Sequence, residues 1–185
     1  ERLQEFTAEQ IAVFSPAQLL GMSTAQLAAI TPEAMQGLST AALRALSAAT
    51  LAGLSPAQLL ALQPEQIGAL GSSQLRGLSS DTLNALSPEQ FAQFGSAQLK
   101  GLSNSQLAAL ELEDLAAVNA TALKALASQQ LAVLTTDQLQ ALQPEQWGAL
   151  GSAQIGGFSS NQLGSLTPEA LQSLDPKAVA GLLTR

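Results

Sequence analysis

The sequence predicts an all-α superhelical solenoid of 22 eight-residue units, each one short N-capped helix. Three observations carry that prediction. An eight-residue period runs from Thr7 to Leu182 without insertion or deletion, and self-similarity at a fixed period is the signature of a repeat architecture. Positions five and eight of the unit are apolar in all 22 octads, from Ile11 and Phe14 to Val179 and Leu182. All eight prolines stand at position two.

Each position of the octad has a physical reading as part of a helix begun afresh. Position one is Ser, Thr, Asn, Asp or Gly in 18 units, the exceptions being Gln63, Glu111, Ala127 and Gln143. These residues suit an N-cap, whose side-chain oxygen accepts from an unpaired N–H of the first turn. Position two is then the first helical residue, where proline loses no hydrogen bond. Position four is Gln in 14 units, which completes an S-x-x-Q capping box. The preceding position eight and the following position five are spaced as a hydrophobic staple. Position seven is Gly, Ala or Ser in 19 units, small enough for close approach of neighbouring backbone.

Two other folds fail on these patterns. In one continuous helix an apolar stripe averaging 4.0 residues would drift around the axis, and each interior proline would cost about 3 kcal/mol. Strands would require period two and β-branched residues, whereas Leu, Ala, Ser and Gln dominate here. A helix of about six residues is only about 9 Å long, far too short to hold alone, so octads must stack.

Charge spacing suggests the winding. Position-three glutamates fall at Glu9, Glu33, Glu65, Glu89, Glu113, Glu145 and Glu169, each separated from the next by three octads or by four. Basic residues at position six, Arg44, Arg76, Lys100 and Lys124, follow a related series. The mean glutamate step of about 26.7 residues gives about 3.3 units per superhelical turn, so that like residues align every three or four units of a solenoid. QPEQIGALGSSQLRGL at Gln63 returns ten octads later as QPEQWGALGSAQIGGF at Gln143, which is three such turns. A duplication of ten octads accounts for the same return without any winding. With helices packed about 8 to 10 Å apart, the array is expected to be a rod roughly 60 Å long of six to seven turns. The single domain spans 1–185, with complete units at 7–182 and partial units at both ends. Those uncapped partial units are expected to meet neighbouring repeats of a longer chain or to self-associate end to end.

Composition removes most chemistries. The 185 residues contain no Cys, His or Tyr, so zinc and haem sites of the usual ligand types, a cysteine nucleophile and an imidazole base have no residues to build them. Seven basic against 14 acidic residues give a net charge of −7, unsuited to a nucleic acid or an anionic membrane surface. No apolar run reaches a bilayer span of about 20 residues. The chain is therefore expected to be soluble, with no nucleic-acid partner and no membrane insertion.

Individual residues offer few sites. Glu111, Glu113 and Asp114 form the densest acidic cluster, of a kind calcium would accept, but no D-x-D-x-D-G loop surrounds it and it reads as a diverged octad. Trp147, Phe91, Phe94 and Phe158 occupy positions five or eight and read as core. Leu20, Leu60, Leu112, Val13 and Val133 depart from the small or polar norm of their positions and are candidates for exposure. Thr fills position one in only four units, too few for a flat hydroxyl array. Asn119-Ala120-Thr121 is a glycosylation sequon of low information. The GS openings at Gly71, Gly95 and Gly151 read as permissive caps. No catalytic, cofactor-binding or metal-ligating residue is assigned, and no cofactor.

The units STAQLAAI, SPAQLLAL and TTDQLQAL resemble the octapeptide arrays of general form L-[ST]-x-x-Q-[ILV]-x-x-L found in very large secreted or surface proteins of proteobacteria, adhesin-like ones among them. The resemblance spans Thr7 to Leu182. It implies an extracellular, cell-surface or secreted bacterial location and a non-catalytic stalk or spacer, and it brings no active-site residues with it. The alternative function is a protein- or peptide-binding solenoid whose recognition face is formed by the variable positions three and six.

Overall fold

The computed structural model describes residues 3–180. Leu182, the start of a further unit at 183–185 and the first two residues of the leading partial unit lie outside the described residues. Among the described residues there are 22 α-helices and no strand, and every α-helix begins at position two of its octad, from Ala8–Ala12 to Pro176–Ala180. The helices are four to six residues long. All eight prolines open a helix, where a missing N–H has no consequence.

Each helix starts as the sequence predicts. Position one is extended, as at Ser15 (φ −72°, ψ 156°), and its hydroxyl accepts from the N–H of position four, Ser15 from Gln18 at 3.3 Å. The glutamine Oε1 answers by accepting from the position-one N–H, 2.8 Å from Ser15 N to Gln18 Oε1. At Gly71, Gly95, Gly151 and Ala127, which have no side-chain acceptor, that returning bond is the half of the box that remains. The three glycines are in ordinary extended backbone, and no described glycine has positive φ. They are tolerated as caps because glutamine holds the junction.

The other end of the glutamine side chain has a role that no local pattern reveals. From Gln58 onward, the Nε2 of every position-four glutamine donates to main-chain carbonyls 28 to 31 residues earlier, on the preceding turn. Gln90 reaches Leu62 O at 2.7 Å and Leu59 O at 3.0 Å, and Gln138 reaches Leu110 O at 2.8 Å and Leu107 O at 3.0 Å. Gln146 reaches Val118 O at 2.6 Å. The carbonyls served are chiefly those of positions five and eight, where the short helix ends; the position-five carbonyl also accepts from the position-eight N–H of its own octad, as Leu59 O does from Leu62 N at 3.2 Å. Most of these glutamines are buried, and a buried amide lacking partners would be strongly destabilising.

One octad performs the same task with a different residue. NATALKAL has Ala122 at position four. Its cap, Asn119, accepts from Ala122 N through Oδ1 at 2.8 Å and donates through Nδ2 to Phe94 O at 2.9 Å. Asn119 thus caps its helix and takes over the bond to the preceding turn.

Packing gives the winding. Helix α12 (Ser96–Gly101) packs between α9 (Ser72–Arg76) and α15 (Ala120–Lys124), and α15 in turn on α18 (Pro144–Ala149), each the third helix along. The glutamine bonds instead join a unit to the fourth one before it. A turn therefore holds between three and four octads, in agreement with about 3.3 from the charge spacing. Position seven explains its own composition at this contact. An added Cβ on Gly37 would collide with the Ala8 carbonyl, and one on Gly101 would sit 2.5 Å from Ser72 Cβ. Both neighbours hold position two of the third octad back. The apolar residues of positions five and eight form one continuous buried column that, with small residues beside it, runs from Ile11 to Ala178, each large aliphatic side chain contributing about 1.5 to 3 kcal/mol by burial.

Expectations for stability follow from these bonds. Gln138→Ala removes a cap acceptor and an inter-turn donor together and is expected to cost about 2 to 3 kcal/mol in urea unfolding. Gln18→Ala, whose bonds stay within its own octad, is expected to cost about 1 kcal/mol. Gln138→Glu, which keeps the acceptor and loses the donor, should cost at least as much as Gln138→Ala. Asn119→Ser retains the cap and loses the bond to Phe94 O, a loss of about 1 kcal/mol; adding Ala122→Gln should recover it, and a double-mutant cycle with no coupling would refute the exchange of roles.

Candidate functional site

With the interior given over to apolar side chains, the charged side chains that face outward are chiefly those of positions three and six. The position-three glutamates from Glu9 to Glu169 are all exposed. Their place in the first helical turn favours the ionised form. Glu9 is held below the usual carboxylate range by the Thr7 hydroxyl and by its own backbone N–H, and Glu89 by its own N–H and then the Ser87 hydroxyl. Glu65, Glu89 and Glu113 stand on α8 (Pro64–Gly68), α11 (Pro88–Phe91) and α14 (Leu112–Ala117), successive members of one packed column. Arg76, Lys100 and Lys124 stand on the column of α9, α12 and α15. Arg44 does not join them; its helix α5 (Thr40–Ala45) packs on α8, in the glutamate column.

Position six also ties successive turns together. Arg44 Nε donates to Ala69 O at 2.8 Å, Asn84 Nδ2 to Ala109 O at 2.6 Å and Gln140 Nε2 to Ser165 O at 3.1 Å, in each case 25 residues ahead. Beside Arg44 lies an open groove of about 530 Å³, lined by Gly68, Ala69, Leu70 and Gly71 among others. A second groove of about 300 Å³ lies beside Lys124, with Gly148, Ala149, Leu150 and Gly151. These five residues of one lining correspond in order to the five of the other, ten octads on, so the repeated sequence blocks carry a similar surface notch.

The acidic cluster is divided by the fold. Glu111 and Glu113 are exposed, whereas Asp114, at position four, is 3% exposed. Among the described residues no group of three or more acidic side chains is arranged to hold a metal ion. Burial pushes Asp114 up to about 7, with repulsion from Glu111 and Glu113 adding to the rise. Its Oδ2 is buried without a hydrogen-bond partner. Asp114 is the only acidic residue at position four. That departure is visible in the register of the octads, but its meaning depends on what position four does across the seam.

The remaining candidates sort by register. Trp147, Phe91, Phe94 and Phe158 are buried, and Trp147 meets Phe158 edge-on with ring centres 6.1 Å apart. Val13, Leu20, Leu60 and Leu112 are exposed. Val133, expected with them, is instead half-buried against the core. Leu171 departs in the other direction. It occupies a core position yet is 50% exposed, in the second-to-last described helix, Pro168–Ser173. The sequon nitrogen, Asn119 Nδ2, is engaged by Phe94 O. No helix among the described residues is long and apolar enough to cross a membrane.

Comparison with known families places this geometry. The ALTTAQ repeat matches residues 38–72, 60–96 and 107–144, which together span more than half of the chain. Each matched stretch contains a position-four glutamine together with a carbonyl it serves on the preceding turn: Gln66 with Leu38, Gln90 with Leu62 and Gln138 with Leu107. No curated protein matches the sequence. A continuous helical solenoid with eight-residue units and this family match together identify the chain as a member of the ALTTAQ repeat family.

Proposed function

We propose that the chain is a non-catalytic structural rod, a spacer or stalk within a large secreted or surface protein of bacteria. The observation that carries this reading is the recurrence of one inter-turn glutamine bond in eleven of the fourteen octads from Gln58 to Gln162. Turn after turn is fastened to the last by the same chemistry, which suits a part whose task is to hold distance. The exposed side chains at positions three and six carry charge without a convergent acid–base pair, and the interior is filled. Location outside the cell is supported by the likeness of the octads to the secreted arrays. Neighbouring repeats are the partners most compatible with Leu171 and Phe14, apolar residues of core register that are not fully covered towards the two ends of the described stack.

A rod whose units are equivalent must lengthen by equal steps. Duplicating residues 63–142 in tandem adds ten octads, or three turns, and is expected to extend the maximum dimension in small-angle X-ray scattering by roughly 27 Å at constant cross-section. A thicker particle of unchanged length would overturn the spacer reading.

The paired notches beside Arg44 and Lys124 favour a second reading, a solenoid that binds an acidic peptide or protein surface along positions three and six. Replacing Arg44, Arg76, Lys100 and Lys124 together by Ala should abolish retention of acidic surface or matrix components by the immobilised rod if that reading holds. Equal retention by both forms would leave the spacer alone standing.

A further inference from the structure

Asp114 stands where eleven octads place a glutamine that fastens one turn to the one before. By that register its counterparts on the preceding turn are the carbonyls of Leu83 and Leu86, related to it as Leu59 and Leu62 are to Gln90. Asn84 lies between them, at the place from which Ala28, Leu60 and Ala108 also present carbonyls to Gln58, Gln90 and Gln138. A carboxylate cannot donate, so an ionised Asp114 offers this seam only acceptors. Two buried side-chain oxygens without partners are found among the described residues, and they are Asp114 Oδ2 and Asn84 Oδ1. The amide nitrogen of Asn84 is already committed to Ala109 O. One seam therefore holds both orphan acceptors, and a single added donor is what it lacks.

We propose that Asp114 is a proton-operated clamp. In its neutral form the carboxyl O–H donates across the seam in place of the glutamine amide, and on ionisation that donor disappears and the two turns loosen locally. The inference goes beyond the spacer reading, because it makes the stiffness of the rod at this turn depend on pH.

The charged groups around Asp114 on its own and the packed helices are all acidic. On its own octad Asp114 faces the charges of Glu111 and Glu113. The helices packed against α14 are α11, whose charged residue is Glu89, and α17 (Thr136–Ala141), whose charged residue is Asp137. The preceding-turn octad contributes Asp81, on α10 (Ser80–Leu83). No basic residue stands on any of these helices; the nearest in sequence is Lys124, in the next octad. Burial first, and then the charges of Glu111 and Glu113, hold Asp114 neutral up to about 7, whereas in the unfolded chain an aspartate ionises near 4. The folded state thus retains a proton that the unfolded state has lost. The stabilisation is complete below about pH 4 and declines as pH rises, until it is lost above about 7. With no His and no Cys in the sequence, no other side chain ordinarily titrates between about 5 and 8, and the α-amino group, which does so near 8, is shared by the Asp114 variants, so the difference between the parent and variant profiles isolates this group.

The test is thermal unfolding of the full chain from pH 5 to 8.5 at constant ionic strength, beside Asp114→Asn and Asp114→Gln. The melting temperature of the parent should fall by several degrees over this range, both variants should be flat, and Asp114→Gln, which restores the glutamine of the other octads, should exceed the parent at pH 8. Carbon-detected NMR of the Asp114 carboxyl should give a midpoint near 7. A parent profile as flat as those of the variants, or a midpoint below 5, would overturn the proposal. So would full stabilisation of the parent at pH 8 by millimolar calcium with no response from Asp114→Asn, since a cation and not a proton would then be the missing partner.

Discussion

The carboxamide of the position-four glutamine is the group on which the fastening of successive turns depends. A helix of four to six residues has almost as many unpaired backbone groups at its ends as paired ones within it. Its first N–H groups need an acceptor and its last carbonyls need a donor. Glutamine carries one of each on a single planar head, with a stem long enough to put them on different turns. Gln90 accepts from Ser87 N at 2.8 Å and donates to Leu62 O at 2.7 Å, joining the start of its own helix to the end of another on the preceding turn. Glutamate could make only the first bond and lysine only the second. Asparagine does both from the cap position in Asn119, whose Oδ1 accepts from Ala122 N and whose Nδ2 donates to Phe94 O.

That bond would be ineffective without close approach, and the other positions of the octad provide it. The small residue at position seven lies against position two of the third octad back, as with Gly77 and Ala48. Aliphatic side chains at positions five and eight close the interior behind it. The side-chain bonds between turns span 25 to 31 residues and bracket the mean charge spacing of about 26.7. A non-integral number of octads per turn follows from this compromise: packing joins each helix to the third along, while hydrogen bonding joins it to the fourth. Stability in such an array is close to a sum over neighbouring turns, so the strength of each seam is set by the few residues that bridge it.

Much of this was legible in the sequence because it is local. Caps, prolines, the eight-residue period and the apolar pair all express what a short helix needs within its own octad, and the structure has a helix at every place they indicate. The charge series revealed the winding because charge recurs on the scale of a turn. What was not legible depends on residues a whole turn apart. The second bond of glutamine, the exchange of roles at Asn119, the partner of position seven and the partial burial of Val133 all require knowledge of which turn lies against which. Leu171 shows the same limit: its register is that of the core, but register does not say whether a neighbour covers it. The acidic residues at 111–114 read as one diverged octad, but their division into two exposed carboxylates and one buried carboxyl was not legible, because position four faces the preceding turn and positions one and three do not.

The octads that lack glutamine at position four differ in what they can offer the seam. Ala42 leaves it without a side-chain donor from that position. Thr50 and Thr82 spend their hydroxyls on their own caps, 2.8 Å from Ser47 Oγ and 2.7 Å from Ser79 Oγ. Asn119 compensates for Ala122, and Asp114 has the donor only when protonated. A chain of chemically similar octads thus acquires seams of graded strength through one position. Because solenoid stability is carried by nearest neighbours, loosening one seam does not require loosening the rest. Bending or opening under load should then begin at turns whose position-four residue cannot donate, and the glutamine-rich stretch from Gln130 to Gln162 should be the last to yield.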